Sequence, residues 1–273
     1  MTRMLTRIVP AAYRLLHLEA LTRTRAGEQL FLSAFFAYKK WIEDPHAAFA
    51  ALHPEVFRGG HVLDVGANVG YTACVFARAV SAGFRVHAFE PEQQNFERLN
   101  RVIAKHRLLD RIVPVQAAVG DEDGVSTLRL NPSHPGDHKI VVAPEEGGVA
   151  VPILRIDTYV ETENLAPVKF VKIDVQGHEL AVSQGMSRLI AREPELEVSF
   201  EYSDRESERV AEWYLARGFS LHLLGHDGTL SPFTREAVAH ALRKRRYVDL
   251  FATRSPRFRE LVESVRGPEN EDR

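Results

Sequence analysis

The run Val62-Leu63-Asp64-Val65-Gly66-Ala67-Asn68-Val69-Gly70 constrains this chain more than any other segment. An apolar stretch carrying one acid ends in a glycine turn, and Tyr71-Thr72-Ala73-Cys74-Val75-Phe76-Ala77-Arg78 continues with helix-compatible residues. The pattern predicts a buried parallel strand, a tight loop and a helix start, the place where open α/β sheets hold a nucleoside-like ligand. Gly66 and Gly70 can take positive φ and leave the backbone open to a ligand. Asn68 lies between them, and asparagine also tolerates the left-handed region.

The loop reads Gly-x-x-x-Gly and lacks the Gly-x-Gly-x-x-Gly spacing of a dinucleotide fingerprint. A pyrophosphate needs bare amides and a helix N-terminus aimed at it, and an acid just ahead of the loop would repel it. Asp64 instead suits a cofactor with an ammonium group and a sulfonium centre, which points to S-adenosylmethionine and away from an NAD-dependent oxidoreductase. The second strand agrees. Phe84-Arg85-Val86-His87-Ala88-Phe89-Glu90-Pro91 places an acid about 20 residues after the loop, the spacing at which such sheets set a carboxylate on ribose hydroxyls.

The chain has 273 residues, 45% of them hydrophobic and 26% charged, enough to bury a sizeable core. Its formal net charge of −2 provides no global field for nucleic acid. The single cysteine, Cys74, excludes an intramolecular disulfide framework and suggests a reducing, cytoplasmic setting. No stretch approaches the ~18 apolar residues of a membrane helix, and Ile8-Val9-Pro10-Ala11-Ala12 is too short for a secretory apolar region.

Three parts are expected: a helical extension over residues 1–58, a cofactor-binding domain over 59–255, and a C-terminal helix with a frayed tail over 256–273. In the first part Leu30, Phe31, Ala34, Phe35 and Tyr38 recur at helical spacing, and Trp41-Ile42 precedes the Asp44-Pro45 break. This stripe is expected to pack on the main domain, and a segment so placed can also act as a lid. From His61 to about Phe200 strands and helices alternate, which calls for a mainly parallel sheet covered on both faces. Arg111–Val119 is expected as a third strand, Val168–Asp174 as a fourth and Leu196–Tyr202 as a fifth. Runs at Val125–Leu130, Lys139–Val142 and Val149–Ile153 fit a small antiparallel insertion. A helix near Glu206–Leu215 and runs at Phe219–Leu224 and Tyr247–Phe251 complete the sheet.

Two further groups of residues can carry chemistry. The loop Asn131–Lys139 contains His134, Asp137 and His138, which are either solvated or held over a reacting centre. Asp174-Val175-Gln176-Gly177-His178-Glu179 lies where the fourth strand ends, the edge at which α/β sheets bind ligands. Asp174 can face a substrate, and His178 titrates near working pH and can act as a general base; alternatively, His178 caps or packs and Glu179 favours the helix start. Asp174, His178 and Glu201 lack metal-site spacing, and no metal is expected.

Taken together, Asp64–Gly70, Phe89-Glu90-Pro91 with Asn95-Phe96, Ala117–Asp121 with Gly124, Lys172–Glu179 and Phe200-Glu201 resemble the FkbM-type methyltransferases over roughly residues 55–255. The resemblance implies a Rossmann-like class I methyltransferase fold with a seven-stranded, mainly parallel sheet, and O-methylation of a hydroxyl on a small molecule such as a sugar or secondary metabolite. It further implies that Asp64, Gly66, Asn68 and Gly70 line the methionine part of S-adenosylmethionine, that Glu90 holds the ribose, that Ala118, Val119 and Asp121 meet the adenine, and that Asp174 faces the transferred methyl group. Gln176 stands where the family commonly has glutamate. For the proton, His178 and His138 are the candidate bases. Arg243-Lys244-Arg245-Arg246 leaves open a methyltransferase acting on nucleic acid or protein, and a fold retained only for binding is a further alternative.

Overall fold

The computed structural model describes residues 24–131, 138–141, 147–203 and 205–258. His134 and Asp137 lie outside them. The described residues open with helix α1 (Arg25–Tyr38), a π-helical turn (Lys39–Glu43), α2 (His46–Leu52) and a 3₁₀ turn (Pro54–Phe57). Alternation then sets in with β1 (His61–Val65), α3 (Tyr71–Ala79), β2 (Val86–Phe89), α4 (Gln93–Lys105) and β3 (Ile112–Val115). A second group follows: β4 (Ala118–Gly120), β5 (Gly124–Arg129), β6 (Lys139–Val141) and β7 (Val149–Arg155). The main sheet resumes after α5 (Ile156–Thr162) with β8 (Val168–Ile173), α6 (Glu179–Gln184), α7 (Ser187–Arg192), β9 (Glu197–Tyr202) and α8 (Arg205–Leu215). It closes with β10 (Ser220–Leu224), β11 (Leu230–Pro232), α9 (Arg235–Leu242) and β12 (Val248–Thr253).

Among the described residues the main sheet has eight strands in the order β11-β10-β12-β9-β8-β1-β2-β3. The five from β9 to β3 are parallel, and β12 lies antiparallel between β9 and β10. The eighth strand, beyond the seven expected, is β11: Asp227 and Gly228 turn the chain back on β10, and three residue pairs join the two. The third strand also differs from the continuous run read in the sequence. Ala117 turns its N–H onto the Val115 carbonyl at 3.1 Å, ending β3, and β4 departs to pair with β7 in a second, four-stranded sheet. Apart from that parallel β4–β7 pairing, the insertion is antiparallel.

Alternation along β1 and β8 sorts the core into two layers, since successive side chains in a strand face opposite ways. Val62 and Phe170 face a layer made with Phe31, Phe35, Phe49, Phe57 and Phe76. Leu63, Val65, Val171 and Ile173 face the opposite layer, under α5 to α8. The N-terminal helices therefore share the first layer with α3 and α4. Of the apolar stripe, Phe31 and Phe35 are buried, together with Leu32, whereas Leu30 and Trp41 are exposed. Trp41 falls in the π-helical turn, where the helical spacing that would have carried it inward is lost.

His46 fastens this extension to the sheet. It is fully buried, its Nδ1 lies 3.2 Å from Asp44 Oδ1, and its Nε2 meets Ser199 Oγ of β9 at 2.9 Å. Burial alone would lower the imidazole pKa, but Asp44 outweighs it and the value is raised from 6.5. A raised folded pKa contributes stability that is present below the unfolded value and lost as pH rises through the folded one. We therefore expect the urea midpoint of the wild type to fall as pH climbs above 6.5, and His46→Asn to remove that part of the slope while lowering stability throughout. Equal slopes in both proteins would show that His46 is not the charged anchor.

Candidate active site

The cofactor loop follows directly from strand geometry. β1 leaves the middle of the sheet, and Gly66 takes φ +83° to turn the chain. A Cβ on Gly66 would stand 1.9 Å from the Asp174 carbonyl oxygen, so no other residue lets the loop run this close to the end of β8. Asn68 adopts φ +50°, and its Oδ1 accepts the Val69 N–H at 2.7 Å. Gly70, at φ +89°, caps α3, and a Cβ there would meet Leu99 of α4 at 2.5 Å.

Glu90, at the end of β2, turns toward this loop. Its Oε2 accepts the Asn68 N–H and its Oε1 the Glu92 N–H, each at 2.9 Å. The carboxyl is buried, and burial pushes it up to about 8 against these hydrogen bonds. A carboxylate held beside a glycine loop, with lone pairs to spare, matches a cis-diol donor.

Asp64 is placed differently from what its role beside the loop suggests. It has no exposed surface; its Oδ2 accepts the Thr72 hydroxyl at 2.7 Å, and its Oδ1 lies 3.8 Å from the Lys172 ammonium. Burial raises its carboxyl pKa against Lys172 and Thr72, and it presents no open face to the site. Lys172 is the group the sequence reading passed over. It is the register partner of Asp64 across β1 and β8, and its Nζ also donates to Asp174 Oδ2 at 3.2 Å. Burial would depress the ammonium, but Asp174, Asp64 and Asp44 outweigh it and hold the pKa up. A lysine inside a buried apolar strand requires such partners, and that was the available signal.

Asp174 ends β8 with its side chain a quarter exposed. Burial would raise its carboxyl; Lys172, Lys39 and the Gln176 amide together hold it below the ordinary aspartate value. Gln176, at φ +56°, donates to Asp174 Oδ1 at 2.8 Å and approaches Glu201 Oε2 at 3.5 Å. Glu179 does not merely favour the helix start: its buried carboxyl accepts the Val175 and Gly177 N–H groups and so closes the turn beneath Gln176. Burial, with Asp174 and Asp249 nearby, pushes Glu201 up to about 9. Over these acids stand Lys39, paired with Glu43 at 3.2 Å, and Tyr247, which donates to Glu43 at 2.5 Å. Lys39 and Glu43 are four residues apart, but Tyr247 and the acids they meet come from distant points of the chain.

The two candidate histidines are not brought to Asp174. His178 directs Nε2 toward Gly120, where an added Cβ would lie 3.1 Å away, and that nitrogen is buried without a partner. Burial lowers its pKa, and the charge acting on it is that of Asp121. His178 therefore sits with β4, beside Ala118 and Val119, which are buried, and Asp121, which is exposed. His138 accepts the Asn131 N–H at 3.0 Å in the insertion. Among the described residues no group of three or more His, Cys, Asp and Glu is disposed to hold a metal ion. Arg243–Arg246 forms an exposed turn after α9, and among the described residues no helix is long and apolar enough to cross a membrane.

Comparison with known proteins places this geometry. A family model described as the methyltransferase FkbM domain matches residues 64–222. The hexuronic acid methyltransferase AglP of Haloferax volcanii is 30% identical over 128 residues, which cover 46% of this chain and 50% of that protein. The chain thus spans about half the length of that curated relative. The crystal structure of methyltransferase FkbM from Methylobacillus flagellatus aligns with a TM-score of 0.53 at 17% identity, over 92% of this chain and 60% of that one, a likeness of fold. With the family model spanning more than half of its length, from Asp64 at the loop to His222 on β10, the chain belongs to the FkbM family of S-adenosylmethionine-dependent methyltransferases.

Proposed function

We propose that this chain methylates an oxygen, most simply a hydroxyl, on a small acceptor such as a sugar or secondary metabolite. The observation that carries this reading is the placement of the Asp174 carboxyl at the carboxyl edge of β8 beside the Gly66 turn, where Lys172, Lys39 and the Gln176 amide hold its pKa below the ordinary aspartate value. AglP, similar over half its length, acts on a hexuronic acid, which supports a sugar-like acceptor.

S-adenosylmethionine supplies a methyl group already activated on sulfonium, so the chain's own task is chiefly alignment. In this reading Glu90 holds the ribose and the Gly66–Gly70 loop the methionine part. Ala118, Val119 and Asp121 face the adenine. Asp174 orients the acceptor oxygen near the methyl carbon, while Lys172 keeps Asp174 ionised. His178, turned to Gly120, belongs to the adenine side and not to proton transfer.

Calorimetry with the full chain should give binding of S-adenosylhomocysteine and none of NAD; tight NAD binding would overturn the cofactor assignment. Glu90→Ala should weaken S-adenosylhomocysteine by roughly 10- to 100-fold, the worth of charged hydrogen bonds. A ribose diol donates to the charged carboxylate, so binding releases the proton that burial keeps on Glu90. Affinity should then rise as pH climbs toward about 8 and level off above it, and Glu90→Gln should flatten that dependence. An identical pH profile in the variant would remove Glu90 from the ribose.

Once an acceptor has been found by screening hydroxylated compounds with labelled cofactor, single-turnover transfer separates the remaining roles. Asp174→Asn should lower the rate by about 100-fold or more, whereas His178→Ala should weaken cofactor binding and leave the rate at saturation nearly intact. A rate collapse confined to His178→Ala would reverse the two assignments.

A further inference from the structure

Behind the N-terminal helices lies a cavity of about 780 Å³ that none of the roles above uses. Its walls come from the end of α1, the π-helical turn, α2, the 3₁₀ turn with Arg58 after it, and α3. Phe36, Ala47, Ala50, Tyr71 and Val75 make it apolar. Its size falls in the range of small-molecule sites.

The polar part of the lining is one-sided. Lys40, Arg58 and Arg78 border the cavity, one from each of three segments, and no carboxylate lines it. All three are exposed. Lys40 rests its ammonium 4.8 Å from the Trp41 ring centroid, and Arg78 donates to the Cys74 carbonyl at 2.8 Å. Neither contact neutralises a charge.

We propose that this cavity binds an amphipathic anion, an apolar segment carrying an anionic group. The apolar walls take the segment, and Lys40, Arg58 and Arg78 on the border take the anion. Cations bordering an apolar lining with no acid among them select an amphipathic anion over a neutral sugar or a neutral lipid. This binding chemistry does not rest on the methyltransferase reading.

The test is equilibrium binding of dodecyl phosphate, dodecanol and inorganic phosphate to the full chain, with S-adenosylhomocysteine titrated in parallel. Dodecyl phosphate should bind at least 10-fold more tightly than either of the others. The double variant Arg58→Gln/Arg78→Gln should weaken it by about 10- to 100-fold, and Ala51→Trp, at an exposed position on the rim, should do so by blocking the groove. S-adenosylhomocysteine affinity should remain unchanged in both. Equal binding of dodecanol and dodecyl phosphate, or indifference to both variants, would overturn the proposal, as would binding only to anionic vesicles, which would indicate a membrane surface. Failure of S-adenosylhomocysteine to bind while dodecyl phosphate binds as expected would count against the methyltransferase reading alone.

Discussion

The charge of Lys172, buried between two central strands, is the constraint on which the site depends. Its ammonium faces Asp64 across the β1–β8 pairing and Asp174 two residues further along its own strand. An isolated buried ammonium would be strongly disfavoured, as would either acid alone. Together they hold Lys172 charged and Asp174 below the ordinary aspartate value, while burial raises Asp64 despite the same ammonium, and they meet at the carboxyl edge of the sheet, where the glycine loop comes within contact distance of the Asp174 carbonyl. Cofactor loop and reaction centre are thereby one assembly.

The N-terminal extension completes that assembly from outside. Asp44 and His46 place a second buried ion pair in the same layer, and His46 bonds to Ser199, the register neighbour of Lys172 on β9. Burial would raise Asp44, but His46, Lys39 and Lys172 bring it down to about 2. The extension thus reads the charge of the sheet and supplies Lys39 and Glu43 to the cleft. Glu201 and Asp249, opposed across β9 and β12, carry raised pKa values of about 9 and about 6: burial is the main cause at both, with Asp174 and Asp249 adding to it at Glu201 and Asp44 and Asp174 at Asp249. Such perturbed carboxyls gather where sites do, and here they line the side of the cleft opposite the cofactor loop.

What was legible in the sequence was local. The β1 loop with its two glycines, the acid ending β2 and the strand ending at Asp174 all stand within short, ordered runs whose chemistry has few alternatives. Pairing across the sheet was not legible: Lys172 is an unremarkable lysine until Asp64 is set beside it, and Lys39 and Tyr247 reach Glu43 from points of the chain far apart. The break between Val115 and Ala118 escaped notice because both halves have strand composition and only the partner strands differ. His178 follows a core strand end, as a base would, yet side-chain direction decides its neighbours, and the turn closed by Glu179 sends it to Gly120. Leu30 and Trp41 show that an apolar residue at helical spacing need not face inward once the helix winding changes.

The most direct test of the Lys172 constraint is a carboxyl-carbon NMR titration of Asp174 in selectively labelled protein, wild type against Lys172→Met. In the wild type the Asp174 signal should stay that of a carboxylate to well below the ordinary aspartate pKa of 3.8, and in the variant its midpoint should move up by more than one pH unit, about the effect expected when one close opposite charge is removed. An Asp174 titration that is the same with and without the Lys172 ammonium would contradict the account.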